Sequence, residues 1–334
     1  MRGRSILVPN WWRRLLLLGS LGVMVVGSAA AGPADRSSEI MPRAVRSLIL
    51  DIERVGERVI AVGERGHILI SDDGRSFRQV RAPVRSTLTA LASGFVPGSI
   101  FAVGHDGVVL KSIDGGLTWA LVFSSPEEQR PLLDIVALDE RTVLAVGAYG
   151  WLLRSEDGGA SWSAHSIDDD EPHLNGLAVG RDGTLLIAAE FGLTFRSADQ
   201  GMTFERQELP YDGSFFGALR LDGGWLVFGL EGRIFRRDDG SSGWRQVEAP
   251  AVTALLAGHR LSNGRVLLAG LEGALLTSQS EPRFTLRRDP ERLGIADVLE
   301  LPDGSLLLAG ENGLRRMSDP SDPTSIEPLP APPR

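Results

Sequence analysis

One short pattern recurs seven times along the chain, and its period restricts the fold more than any other feature. It reads Val59-Ile-Ala-Val-Gly-Glu-Arg-Gly66, Ile100-Phe-Ala-Val-Gly-His-Asp-Gly107, Val143-Leu-Ala-Val-Gly-Ala-Tyr-Gly150 and Leu185-Leu-Ile-Ala-Ala-Glu-Phe-Gly192. It continues as Trp225-Leu-Val-Phe-Gly-Leu-Glu-Gly232, Val266-Leu-Leu-Ala-Gly-Leu-Glu-Gly273 and Leu306-Leu-Leu-Ala-Gly-Glu-Asn-Gly313. The closing glycines at 66, 107, 150, 192, 232, 273 and 313 lie 40 to 43 residues apart. A fixed period of this size means that one supersecondary unit is repeated and buries its core against its neighbours.

Within each unit the apolar and alternating runs are short and punctuated by Gly, Asp and Pro. In the second unit they predict strands at 88–92, 99–103, 108–112 and 118–123. The steps Asp106-Gly107 and Asn312-Gly313 are tight-hairpin signals, because glycine supplies a positive φ. Long amphipathic helices are missing throughout. Four strands per 40–45 residues, repeated seven times, predict an all-β fold, a seven-bladed β-propeller of four-stranded antiparallel blades over residues 47–328. A stacked β-solenoid is the alternative, but its repeats are usually shorter. Ring closure has two readings: an outer strand at 324–327 in the last unit, or residues 39–46 in its place. The prolines at 328, 330, 332 and 333 predict an extended tail over 329–334.

A second motif comes after the third strand of each early unit. Ser112-Ile-Asp114-Gly-Gly116-Leu-Thr118-Trp119 and Ser155-Glu-Asp157-Gly-Gly159-Ala-Ser161-Trp162 are complete, and Ser197-Ala-Asp199-Gln-Gly201-Met-Thr203-Phe204 has Phe for Trp. The first unit's version, around Asp73, is one residue short, and the fifth keeps only Asp239-Gly240 and Trp244. The aspartate is expected to accept backbone N–H groups across the turn, the glycine to take the left-handed position, and the aromatic ring to pack over the hairpin. These are the Asp-box turns of sialidase-like repeats, and their expected role is structural.

The run Phe101-Ala-Val-Gly104-His-Asp-Gly107-Val-Val-Leu-Lys-Ser-Ile-Asp-Gly-Gly-Leu-Thr-Trp119 resembles the photosystem II stability/assembly factor family, and the likeness extends over about residues 45–317. It implies a seven-bladed, exported propeller that scaffolds membrane-protein assembly without known enzymatic activity; some relatives resemble companions of transport systems. The chain departs from the pattern in having no cysteine for lipidation and in the degenerate turns of units five to seven. The resemblance also implies an arginine patch for partners, carried here by Arg65, Arg85 and Arg130.

On a propeller, the loops between strands two and three and the loops between blades form the usual binding face. By register the first set is Glu64-Arg65, His105-Asp106, Ala148-Tyr149, Glu190-Phe191, Leu230-Glu231, Leu271-Glu272 and Glu311-Asn312, expected to ring the mouth of the central channel. A simple turn asks for Asn, Asp or Gly, so Tyr149 and Phe191 stand out. The inter-blade loops add Arg81, Arg85, Arg130, Tyr211-Asp212, Arg287, Arg288 and Arg292. Arginine and aromatics together are typical of protein-binding hot spots. The partner-binding candidates are therefore Arg65, Arg85, Arg130, His105, Tyr149, Phe191, Tyr211, Glu231 and Glu272.

Other chemistries find less support. Without cysteine there is no thiolate metal site and no cysteine nucleophile. The five histidines fall at no ligand spacing, and Asp168-Asp169-Asp170-Glu171 lacks a calcium-loop frame. No metal and no cofactor are expected. A sialidase-type glycosidase would need a Tyr–Glu pair, for which only Tyr211 and Glu208 are near each other, and six blades rather than seven. A glycan or small-ligand module using Trp151, Tyr149 and Phe191 as stacking platforms is the remaining alternative.

Residues 1–31 read as a secretory signal peptide: four arginines, an apolar run over 15–27, then small residues. An uncleaved anchor and twin-arginine export are alternatives on the same residues. Removal near Ala31 leaves residues 32–46 as an N-terminal segment and changes the net charge from −8 to −12. Such acidity disfavours nucleic acid as the main ligand. Of 35 basic residues only Lys111 is lysine. The expectation is a monomeric periplasmic scaffold for a membrane or periplasmic protein complex, with no membrane span once the signal is removed.

Overall fold

A computed structural model describes residues 36–280 and 283–330. The signal-peptide reading and the last residues of the proline-rich tail lie outside the described residues. The chain forms seven four-stranded antiparallel sheets, each built from consecutive strands in simple up-and-down order. In blade 2 the strands are Leu88–Ser93, Ile100–Gly104, Val108–Ser112 and Ala120–Phe123. They match the sequence expectation except at the fourth, where Thr118 and Trp119 are drawn into the preceding turn. Among the described residues no helix is long and apolar enough to cross a membrane.

The first strands of the blades, Ile49–Val55, Leu88–Ser93, Leu132–Ala137, Leu174–Val179, Phe215–Leu221, Leu255–Arg260 and Ile295–Glu300, pack side by side around the ring axis. The last meets the first and closes the ring. Each pairs with its second strand through an irregularity near the same place, as between Ile49 and Asp51 or Ile295 and Asp297. Such bulges add twist and re-aim side chains.

Among the described residues there is no single central core. The apolar residues form seven slabs, each sandwiched between one blade and the next. Ile60, Val62 and Ile70 of blade 1 pack with Leu91, Ala102 and Leu110 of blade 2. Ile52, Val59 and Leu69 meet Leu301, Leu307 and Leu314 across the closing seam. Second and third strands are covered on both faces, so they read as the continuous apolar runs of the repeat.

Ring closure combines the two readings. Ile326–Pro328 is the outer strand of blade 7, and among the described residues no N-terminal strand replaces it. The N-terminal segment instead supplies the missing inter-blade loop. In blades 1 to 6 the hairpin glycine packs against the loop running on to the next blade; in blade 7, Gly313 lies against Val45 and Arg46. Further out, Ser38 exchanges two hydrogen bonds with Ala82. Gln79 accepts from the Met41 N–H and donates to the Glu39 carbonyl.

Polar staples join the first strands. Asp51 accepts the Leu91 N–H at 2.5 Å, Asp134 the Leu177 N–H at 2.6 Å, and Asp297 the Ile52 N–H at 3.1 Å. Each carboxylate thus binds the backbone of the following blade. Burial pushes Asp134 up to about 7. Asp51 and Asp297 are raised by burial as well, and Asp297 is raised further by the Asp51 charge beside it. Thr89 donates to the Leu132 carbonyl and Asn175 to the Phe215 carbonyl, doing the same work without charge.

Candidate functional site

The face carrying the turns between strands two and three is built by one repeated device. Arg65, Asp106, Tyr149, Phe191, Glu231 and Glu272 have φ between 53° and 60°, each followed by a hairpin glycine that is also left-handed. A side chain in this region costs about 1–2 kcal/mol unless it is Gly, Asn or Asp. Only Asp106 belongs to that set. All six side chains are exposed, with Asn312 as the seventh of the ring.

The residue before each of these has a different task. Glu64, Glu190 and Glu311 accept the N–H groups of Leu48, His173 and Gly294, in the loops that lead into their own blades. His105 is half-buried and its pKa is lowered by burial. In all seven turns the backbone N–H of the first residue also donates to a carbonyl of the loop entering its blade, from Leu48 in blade 1 to Gly294 in blade 7, so that it braces the loop while the second residue is displayed.

The displayed residues divide by engagement. Arg65 and Arg130 make no hydrogen bond or ion pair among the described residues. Arg85 is committed: its guanidinium donates to the Ser37 carbonyl at 2.9 Å and pairs with Glu39 at 3.1 Å, pinning the N-terminal segment. Glu272 accepts from Thr253 and faces Arg288 and Arg292 at 3.4 and 3.9 Å. Glu231 faces Arg233 at 3.6 Å. Asp106 accepts from Ser86 at 2.6 Å.

The aromatics separate as sharply. Tyr149 and Phe191, on neighbouring blades, are 44% and 61% exposed. Tyr149 meets the His173 ring edge-on at 4.9 Å, and His173 faces Glu190 at 3.6 Å. Tyr211 belongs to the packing: its hydroxyl donates to the Leu230 carbonyl and its ring lies against Phe215 and Phe235. Burial, then the Glu231 charge, pushes its hydroxyl up to about 12. Trp151 is buried between blades 2 and 3 beside Phe123 and offers no stacking surface.

On the opposite face the Asp-boxes do what their sequence asks, and one thing more. Asp114 accepts from Leu117 N, Thr118 N, the Thr118 hydroxyl and the Ser112 hydroxyl; Asp157 and Asp199 repeat the set. Hydrogen bonds from the Ser161 hydroxyl and N–H, and from those of Thr203, hold Asp157 and Asp199 at about 2. Asp73 reaches the same value through the Ser76 and Arg75 N–H groups. In Asp114 burial acts upward, but the Thr118 and Ser112 bonds overcome it and hold this carboxyl too at about 2. The aromatic residues pack further afield than their own hairpin: Trp119, Trp162 and Phe204 each enter the slab shared with the preceding blade. Trp162 meets Phe101 of blade 2 edge-on at 6.4 Å.

Two carboxylates of the acidic loop, Asp168 and Asp170, hold Arg206 at 3.0 and 2.7 Å. Among the described residues no group of three or more His, Asp or Glu is placed to hold a metal ion.

Fold and face together define a seven-bladed β-propeller with side chains displayed around one end of its axis. No family model and no curated protein matches the chain. Among solved structures it is similar to YCF48 bound to D1 peptide, with a TM-score of 0.66 at 17% identity over 85% of this chain and 97% of that one. YCF48 from Cyanidioschyzon merolae gives 0.66 at 17%, covering 80% and 94%. The WD40 propeller domain of Doa1 gives 0.65 at 13%, covering 81% and 92%. The resemblance to the photosystem II assembly factor family is shown at the level of the fold.

Proposed function

We propose that the chain is a non-catalytic binding scaffold whose displayed turn residues hold a segment of a partner protein. The observation that carries this is the ring itself. Five of the six left-handed positions are Arg, Tyr, Phe or Glu where a bare turn would use Gly, Asn or Asp. Backbone strain maintained for exposed side chains is expected at a ligand-contacting surface. The similar structure solved with a bound peptide supports the same use of a propeller.

Export to the periplasm, a propeller domain over 47–328, action as a monomer without nucleic acid, and a partner in a membrane or periplasmic complex belong to the same proposal. They rest on the leader-like residues 1–31, the acidic balance and the family resemblance. A flat face of this kind offers roughly 800 Å² per partner, the usual size of a specific interface. Burial of Trp151 removes one of the three platforms that a glycan module would use.

The test is affinity capture of the tagged, exported protein from gently solubilised membranes, with mass spectrometry of the co-purified proteins. One membrane complex enriched with the wild type and lost with Arg65→Glu/Arg130→Glu is the expected result. These two arginines replace Arg85 as the informative pair, because Arg85→Glu would also loosen the N-terminal segment. Recovery of the propeller alone, from both proteins, would overturn the reading.

A further inference from the structure

The displayed face is electrically divided. Its turns and loops over blades 2 to 4, at residues 105–107, 124–131, 148–150, 167–173, 190–192 and 209–214, contain nine acidic residues and one arginine, Arg130. Further round the ring, over blades 7 and 1, the same face carries Arg43, Arg46, Arg65, Arg81 and Arg85 against Glu39, Glu64 and Glu311. Among the described residues, the exposed aromatics of this face, Tyr149 and Phe191, both lie on the acidic side. Tyr149 and Phe191 are joined there through His173 and Glu190 into one braced surface.

The acids beside that surface are largely uncommitted. Among the described residues, Asp169, Glu171 and Asp212 are exposed and make no hydrogen bond or ion pair through their carboxylates, while Asp168 and Asp170 are occupied by Arg206. Glu171 is also held at a positive φ of 48° and packs against Gly150, next to Tyr149. Aromatic faces ringed by free carboxylates attract cations doubly, through the ring quadrupole and through charge. An anionic ligand is repelled from the same place.

Resting on the reading that this face binds protein, we propose that the Tyr149–Phe191 sector takes an extended polypeptide segment bearing lysine or arginine beside an apolar side chain. The cationic groups meet Asp169, Glu171 and Asp212, and the apolar or guanidinium surface lies on the two rings. The arginine side of the face does not accept such a segment, so the division also fixes the direction in which a partner lies across the axis.

The experiment is selection of a random dodecapeptide library on the full chain, followed by titration of the enriched peptides at low and physiological salt. Enrichment of basic peptides with aromatic or aliphatic residues is expected, with affinity falling as salt rises. Phe191→Asn/Tyr149→Asn should weaken those peptides at least tenfold without lowering the melting temperature. Asp169→Asn/Glu171→Gln should weaken them and flatten the salt dependence. Acidic peptides alone, no enrichment, or basic peptides bound equally by the aromatic double variant would each overturn the proposal. Membrane capture through Arg65 and Arg130 would survive all three outcomes, so failure here is distinguishable from failure of the scaffold reading.

Discussion

The two ends of each blade use the same element, a tight turn between antiparallel strands, for opposite purposes. On the Asp-box face the aspartate and the preceding serine are satisfied within the turn, and the second glycine is a joint. A Cβ on Gly116, Gly159 or Gly201 would lie 2.5 Å from Ile60, Phe101 or Leu144 of the preceding blade. On the displayed face, left-handed residues keep bulky or charged side chains exposed, and some, such as Arg65, have no hydrogen-bond or ion-pair partner among the described residues. The first kind of turn is written for shape and the second for contact. A motif that satisfies itself is strong evidence of fold and weak evidence of function; a turn that holds the wrong residue is the reverse.

Changes at the joint should produce the largest effect. Gly116→Ala meets Ile60 and must keep φ near 82°, so it should cost about 2–4 kcal/mol and leave peptide binding by the surviving fold intact. Thermal unfolding of the variant checks this.

The next effect is the pH profile of stability. Asp134 and Glu53, both raised to about 7 with burial the leading cause, bind protons in the folded state that the unfolded chain releases. Their contribution is complete below the ordinary carboxylate range and is lost as pH rises through about 7. Asp51 and Asp297, raised on the same axis, add to it in the same direction. The Asp-box carboxylates, depressed to about 2, contribute above the ordinary range and lose it as pH falls toward 2. The melting temperature should therefore be highest near pH 4–5 and drop by several degrees by pH 8. A flat profile between pH 5 and 8 would refute the buried-acid account.

The smallest effect has the opposite sign. Phe191→Asn relieves a strained position and uncovers little, since Phe191 is 61% exposed. It should raise stability by about 0.5–1 kcal/mol while weakening capture of basic peptides. Denaturant titration resolves a shift of that size; destabilisation would mean that the ring supports the fold rather than a partner.

Much of the architecture was legible because the repeat is written in apolar residues buried on both faces, such as Ala102-Val103 and Ala145-Val146. What escaped were interactions between units. The role of Arg85 depends on Ser37 and Glu39, nearly fifty positions away, and no local pattern reports it. The staples did leave a trace: Leu50-Asp51-Ile52, Leu133-Asp134-Ile135 and Ala296-Asp297-Val298 place an aspartate between apolar residues at one register in three units. The inter-blade position of Trp119 and Trp162 was not readable, because a ring that covers its own hairpin and one that reaches the next blade have the same sequence. In the candidate site, oddness of residue type singled out Tyr149 and Phe191, which the fold leaves exposed, and equally Tyr211, which packs against Phe215 and Phe235 of blade 5.

The seam between blades 7 and 1 has a kinetic consequence. Every other seam joins consecutive units and can form as the chain grows into an arc, but the Asp297–Ile52 staple spans 245 positions. Closing so long a loop adds only slowly to the entropy cost, yet it cannot begin before the last blade exists. Until then the arc ends in two apolar sheet faces, those of Val59 and Leu69 on one side and Leu301 and Leu307 on the other. An unclosed ring is therefore an adhesive molecule, and its solubility is decided by how fast its first and last blades find each other.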